Sequence, residues 1–277
     1  MAKTLQHSSY EHYAPFYDMS GQIRFSLLMA QYLDELLERH QVHGCQALDL
    51  ACGTGTLAMI LTDQGWEVKG LDRSHAMLTY AQAKVANSTT SRNITFLQGD
   101  MCEPTTWMYA FESPTYENTS TGSTYNIQTH SFDLIVCCYD SLNYVLSERD
   151  LLSCFQTVAQ LLKPRGLFIV DTNTQHFLEH DWQPYQVLEL SGYVQVLQSS
   201  FNPTTHCSTM TLTGFIGDDS VGYQRFDEIH IERAYPIETL HTLFEEVGLS
   251  VEACYDCFTF QPIYATSQRI AWIVRKP

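Results

Sequence analysis

The sequence predicts an α/β fold: an open, largely parallel sheet flanked by helices, with an antiparallel β insertion near the C-terminal end. Three observations predict it. Short apolar runs that close on an acid or a glycine alternate with segments of helical periodicity, which is the pattern of successive strand–helix units. The run 132–138 is almost continuously apolar, as a strand buried on both faces should be. From about residue 175 to residue 234 the helical pattern gives way to alternating, β-rich segments.

Taken in order, residues 8–20 are crowded with aromatic side chains, Tyr10, Tyr13, Phe16 and Tyr17, beside Pro15 and Asp18. This stretch reads either as a lid over a bound cofactor or as a hydrophobic anchor. A helix is expected over 22–40, with Ile23, Leu27, Leu28, Leu33, Leu36 and Leu37 on its apolar face. Residues 47–58 read as strand, tight turn and helix, with Gly53 and Gly55 in the turn. A second strand over 66–71 ends at Asp72, Ser74 is placed to cap the helix 75–86, and a third strand, 94–98, runs into Gly99-Asp100-Met101. The polar stretch 103–131 is expected to be a surface loop.

After the strand 132–138 come Tyr139-Asp140-Ser141-Leu142-Asn143-Tyr144, then Ser147 and Asp150 as a capping pair for a helix that stops before Pro164. A fifth strand, 167–170, ends at Asp171. The insertion contributes strands at 185–198, 209–216 and 228–233, broken by Asn202-Pro203 and Gly217-Asp218-Asp219. Tyr235-Pro236 opens a helix through Val247 with Gly248 behind it, and 251–258 and 269–274 supply the last strands. The organisation expected is an N-terminal lid and helix (1–44), a cofactor-binding core (45–174), an inserted β cap on the acceptor side (175–234) and a C-terminal completion of the core (235–277).

The turn at Gly53 and Gly55 leads free backbone N–H groups of a helix towards a ligand. Gly53-x-Gly55-x-x-Ala58 with Asp72 downstream fits a dinucleotide fingerprint, so an NAD-dependent oxidoreductase is one reading. Asp49 favours another. A carboxylate at the strand end would repel a pyrophosphate but attract S-adenosylmethionine (SAM), which carries an ammonium and a sulfonium.

With 15 basic against 31 acidic residues the formal charge is −16, which opposes a nucleic-acid substrate. No apolar run approaches the roughly 20 residues of a membrane span, and the N-terminus lacks a signal-peptide core, so a cytoplasmic protein is expected. The nine cysteines are expected to be mostly buried small hydrophobes, and no metal site is expected, Cys254-x-x-Cys257 included.

With Asp49 to Gly55, Asp72 and Asp100 in that order, the chain resembles a class I SAM-dependent methyltransferase. Tyr13 to Asp18, Asp140 to Tyr144 and Arg233 to Pro236 make it similar to the YqeM-like bacterial branch. The resemblance implies a Rossmann-like seven-strand sheet, its last strand antiparallel, with SAM held by Gly53, Gly55, Asp72, Asp100 and Met101. Tyr13, Tyr17, Asp49, Ala51, Arg73, Met77 and Cys138 complete the expected cofactor site. Asp72 is placed to accept from the ribose hydroxyls, Asp100 to meet the adenine amino group, and the aromatic side chains to face a sulfonium.

Methyl transfer from a sulfonium needs chiefly alignment and dry surroundings. Tyr17, Tyr139, Asp140 and Asn143 are the candidates to orient or deprotonate an acceptor. His176, His180, His206 and His230 are expected at the surface. The expected activity is methyl transfer to an N or O atom of a small-molecule acceptor; a SAM-binding protein without catalysis is the further alternative.

Overall fold

A computed structural model describes residues 9–88, 93–107, 129–182, 185–218, 220 and 222–277. The loop expected over 103–131 therefore lies mostly outside the described residues.

Helix α1 (Ile23–Arg39) precedes strand β1 (Gln46–Leu50), and then α2 (Thr56–Asp63), β2 (Glu67–Asp72), α3 (His75–Ala86) and β3 (Ile94–Gln98) follow in alternation. Strand β4 (Phe132–Cys137), helix α4 (Glu148–Leu161) and strand β5 (Leu162–Asn173) continue it. Four strands, β6 (Tyr185–Leu190), β7 (Tyr193–Asn202), β8 (Cys207–Asp218) and β9 (Gly222–Arg233), make a separate antiparallel sheet. Helix α5 (Ile237–Glu246) leads back to β10 (Ser250–Asp256) and β11 (Arg269–Arg275). The main sheet has seven strands in the order β10-β11-β5-β4-β1-β2-β3, with β11 antiparallel to both neighbours.

Strand periodicity builds the core. Leu48, Leu50, Ile135 and Cys137 turn to one face, where α4 and α5 cover them with Leu151, Phe155, Leu240 and Phe244. Ala47, Leu134 and Val136 turn to the other, under Met29, Leu33 and Leu36 of α1 and Leu57 and Leu61 of α2. Ser74 Oγ accepts from the Met77 N–H at 3.2 Å, and Ser147 Oγ from the Asp150 N–H at 3.1 Å, so both expected caps form.

Three local expectations are corrected. The stretch 185–198 is a hairpin rather than one strand: Leu190 pairs with Tyr193 across Ser191-Gly192, and Gly192 takes the left-handed φ of +76° that this two-residue turn requires. Strand β5 begins at Leu162, ahead of Pro164-Arg165-Gly166, with a register shift opposite Phe132 and Leu134 absorbing the irregularity. Leu27 and Leu28 are 54 % and 56 % exposed. The buried stripe of α1 is centred on Met29, Leu33 and Leu36, spaced four and three apart, which leaves the two leucines on its flank.

Candidate active site

The strand order reverses between β1 and β4, and in open parallel sheets the crevice outside such a reversal is the ligand site. A cavity of about 400 Å³ lies there. Its wall includes Tyr17, Asp49, Ala51, Gly53, Asp72, Arg73, Met77, Asp100, Met101, Cys138 and Tyr139. The turn is held in an unusual backbone path, with Ala51, Gly53 and Gly55 all at positive φ (56°, 56° and 74°). Asp72 fixes it: one carboxylate oxygen accepts from the Gly53 N–H and the other from the Ser74 N–H, both at 2.8 Å. Burial raises the Asp72 carboxyl, and these backbone donors pull against that rise.

Asp49 is different. It is 2 % exposed, and its Oδ2 has no hydrogen-bond partner. Burial first, and then the Asp72 charge, push its carboxyl up to about 8. Such a group is costly unless a ligand satisfies it.

Four expected site residues fall elsewhere. Gly55 does not line the cavity; a Cβ there would meet Phe96 Cζ at 2.6 Å, so this glycine serves the packing of the turn on β3. Tyr13 and Asp140 line a second cavity instead. Asn143 lines neither of the two. Its amide donates to the carbonyls of Asn173 (3.0 Å) and Arg233 (2.9 Å) and accepts from the Asn173 N–H (2.9 Å), so it ties the segment after β4 to the ends of β5 and β9.

The second cavity, about 340 Å³, lies between the carboxyl end of the main sheet and the inner face of the β6–β9 sheet. Tyr10, Tyr17, Tyr139 and Tyr144 line both cavities and form their common wall. Burial raises the phenol of each. Tyr139 and Asp140 both sit at positive φ (64° and 50°), and Asp171 holds them there: its two oxygens accept from the Tyr139 N–H (2.7 Å) and the Asp140 N–H (2.9 Å). Arg269 bridges the Asp140 and Asp171 carboxylates, with its guanidinium 4.7 Å from the Phe25 ring centre.

The aromatic N-terminal stretch is at once a cover and an anchor. Tyr10 and Tyr17 face the first cavity, while Phe16 stacks on Tyr193 at 3.9 Å between ring centres. Glu228, fully buried, accepts the backbone N–H groups of Tyr10 (2.8 Å), His12 (2.6 Å) and Tyr13 (3.0 Å). Burial alone would raise the Glu228 carboxyl, but His230 and those N–H donors bring it below its ordinary value. Asp18 accepts from Thr54 Oγ1 at 2.7 Å and pairs with Lys84, which also donates to Thr54 and Thr56, so the far end of the stretch is tied to the glycine turn.

His230 corrects the expectation of surface histidines. It is 1 % exposed and meets the Tyr144 hydroxyl through Nδ1 at 3.2 Å. Sequence reasoning also missed Glu228, Glu232, Asn173 and Arg269. Glu228, His230 and Glu232 alternate with Ile229 and Ile231, and that period-two pattern signals a strand with its polar face turned inward. Arg269 and Asn173 carry no comparable local signal.

The family model described as "Methyltransferase domain" matches residues 41–205. The chain belongs to the methyltransferase family. The methyltransferase is 30 % identical to YqeM of Bacillus subtilis (strain 168), a protein named for the same family, over 229 residues that cover 83 % of each chain. It also resembles the solved structure of a SAM-dependent methyltransferase from Clostridium acetobutylicum ATCC 824, with a TM-score of 0.76 and 25 % identity, over 97 % of this chain and 99 % of that one. The sugar N-methyltransferase KedS8 from Streptoalloteichus sp ATCC 53650 shares the fold, with a TM-score of 0.66 at 17 % identity over 99 % and 95 % of the two chains.

SAM is the cofactor of this methyltransferase. The first cavity fits it chemically: the unpartnered, buried Asp49 carboxyl suits a ligand that brings positive charge, and Gly53 leaves the main chain open on that side. Among the described residues no helix is long and apolar enough to cross a membrane.

Proposed function

We propose that the protein transfers the methyl group of SAM to the nitrogen of a small-molecule amine seated in the cavity beneath the β6–β9 sheet, which forms the acceptor-side cap. The observation that carries this reading is the wall of Tyr10, Tyr17, Tyr139 and Tyr144 shared by the two cavities, where a cofactor on one side can meet an acceptor on the other. SAM supplies an activated methyl on a sulfonium. The chain supplies the alignment, and the N-terminal stretch and the cap exclude water.

Nitrogen is preferred to oxygen for an electrostatic reason. An alcohol must lose its proton to a strong base, whereas an amine needs only to shed the proton of its ammonium form. The wall phenols are held protonated by burial, and the Asp140 carboxylate is tied to Arg269. The cavity lining also holds Asp140, Asp181 and Glu232 against one arginine already shared by two acids, which suits a cation. The name of KedS8 as a sugar N-methyltransferase agrees with this direction.

The cofactor residues proposed are Tyr17, Asp49, Ala51, Gly53, Asp72, Arg73, Met77, Asp100, Met101 and Cys138, with Tyr139 and Asp140 orienting the acceptor. A panel of amines and matched alcohols, read by release of S-adenosylhomocysteine, tests the proposal. Turnover confined to amines is expected; turnover confined to alcohols overturns the choice of nitrogen.

A further inference from the structure

One corner of the second cavity is built for more than a single amine. Asn173 is 3 % exposed and lines this cavity, and its Oδ1 has no hydrogen-bond partner. At the other end of the amide, Nδ2 donates to Glu232 Oε2 at 2.7 Å. Glu232 is itself 1 % exposed. Its neighbour across the corner is Asp140, whose Oδ1 takes the Arg269 guanidinium at 2.6 Å.

With Glu232 ionised, the corner presents three acceptors: the amide oxygen of Asn173 and the carboxylates of Glu232 and Asp140. A primary ammonium carries three N–H donors and no acceptor, which matches that set. A hydroxyl brings one donor and a lone pair that would face the carboxyls.

We infer that the corner formed by Asn173, Glu232 and Asp140 binds a second, primary ammonium group of the acceptor, so that the acceptor is a diamine-type small molecule with its other nitrogen at the tyrosine wall. The inference rests on the amine reading above and narrows it. Glu232 adds a signature of its own. Burial first, and then the facing Asp140, raise its carboxyl well above the ordinary range, so the free corner holds a proton there. An ammonium entering the corner supplies the positive charge that this proton now supplies, and the proton leaves to solvent as Glu232 ionises.

The test uses the full chain loaded with S-adenosylhomocysteine. Straight-chain α,ω-diaminoalkanes of increasing length are compared by calorimetry with the monoamine and the amino alcohol of equal length. The best diamine is expected to bind about tenfold or more tightly than either partner. Repeating the titration in buffers of different ionisation heat should show release of about one proton more per diamine bound than per monoamine bound.

Glu232→Gln is expected to erase the advantage of the diamine and the proton release while leaving S-adenosylhomocysteine binding intact. If that variant does not fold, the wild-type comparison of diamine with monoamine decides alone. Equal affinity for diamines, monoamines and amino alcohols overturns the ammonium corner and leaves the amine reading standing. Binding of alcohols without any amine overturns both.

Discussion

Asp49 links cofactor binding to pH with a sign that follows from its surroundings. Its carboxyl is pushed up to about 8 by burial and by Asp72, and its Oδ2 is unpartnered. At neutral pH the empty cavity therefore holds a protonated Asp49. A ligand carrying an ammonium and a sulfonium favours the carboxylate, so binding expels a proton wherever the pH lies below about 8. Affinity for SAM should rise about tenfold per unit between about pH 5.5 and about pH 7.5, a total of about a hundredfold or roughly 3 kcal/mol.

Isothermal titration at successive pH values measures this directly. The neutral fragment 5′-methylthioadenosine, which keeps the adenine and ribose, is the control: it reports any contribution of Asp72 and should show little slope. Asp49→Asn should bind SAM with a flat profile and should match the wild-type protein at the acid end. A flat wild-type profile, or an equal slope in the Asn variant, refutes the reasoning. The unliganded protein carries the opposite sign. Because the folded value lies above the ordinary 3.8, the native state keeps a proton that the unfolded chain has lost, so the Asp49 contribution to stability is full below 3.8 and declines as pH rises towards 8.

Asp72→Ala removes the acceptor of the Gly53 and Ser74 N–H groups and should weaken SAM binding about tenfold or more in the same titration. Glu228→Gln loosens the three N–H contacts of the N-terminal stretch. Faster proteolytic clipping there and SAM dissociation about tenfold faster are expected. Since the Glu228 carboxyl is lowered in the folded protein, its stabilisation is present above the ordinary 4.5 and is lost as pH falls, so the wild-type stretch should also clip faster in acid. Asn143→Ala leaves the Asn173 N–H and two carbonyls unpaired and should cost about 2–4 kcal/mol by denaturant unfolding. Gly55→Ala forces a Cβ onto Phe96 at a φ of +74° and should cost about 1–3 kcal/mol in the same measurement.

What could be read from the sequence divides along a physical line. The strands β1 to β4, the caps at Ser74 and Ser147 and the acids at the strand ends were legible because each is a local pattern: a buried run, a capping spacing, a glycine bend. The lining of the first cavity, proposed for the cofactor, was legible with them, since most of that wall comes from strand ends and the turns just beyond. The exposed Leu27 and Leu28 escaped because a helix stripe of apolar residues does not reveal which edge of it meets the sheet; Met29, Leu33 and Leu36 decide that by packing. The second cavity escaped for a stronger reason. Arg269 meets Asp171 and Asp140 across 98 and 129 residues of chain, and no local spacing encodes such a meeting.

That difference also bears on the proposed division of the chemistry between the two cavities. The turn after β1 leaves one buried carboxyl unsatisfied, which suits a cationic cofactor. The second cavity, proposed for the acceptor, is assembled from the N-terminal stretch, the ends of β4 and β5, the inner face of β9 and β11, so its charge balance is set by tertiary pairing. Arg269 bridges Asp140 and Asp171, whereas Glu232 takes the Asn173 amide and faces the Asp140 acid. Glu232, held protonated by burial and the facing Asp140, and Asn173 Oδ1 are thus left without a cationic partner on that side of the cavity. An acceptor that brings positive charge to that side relieves both, and one that brings a carboxylate or a phosphate meets repulsion there.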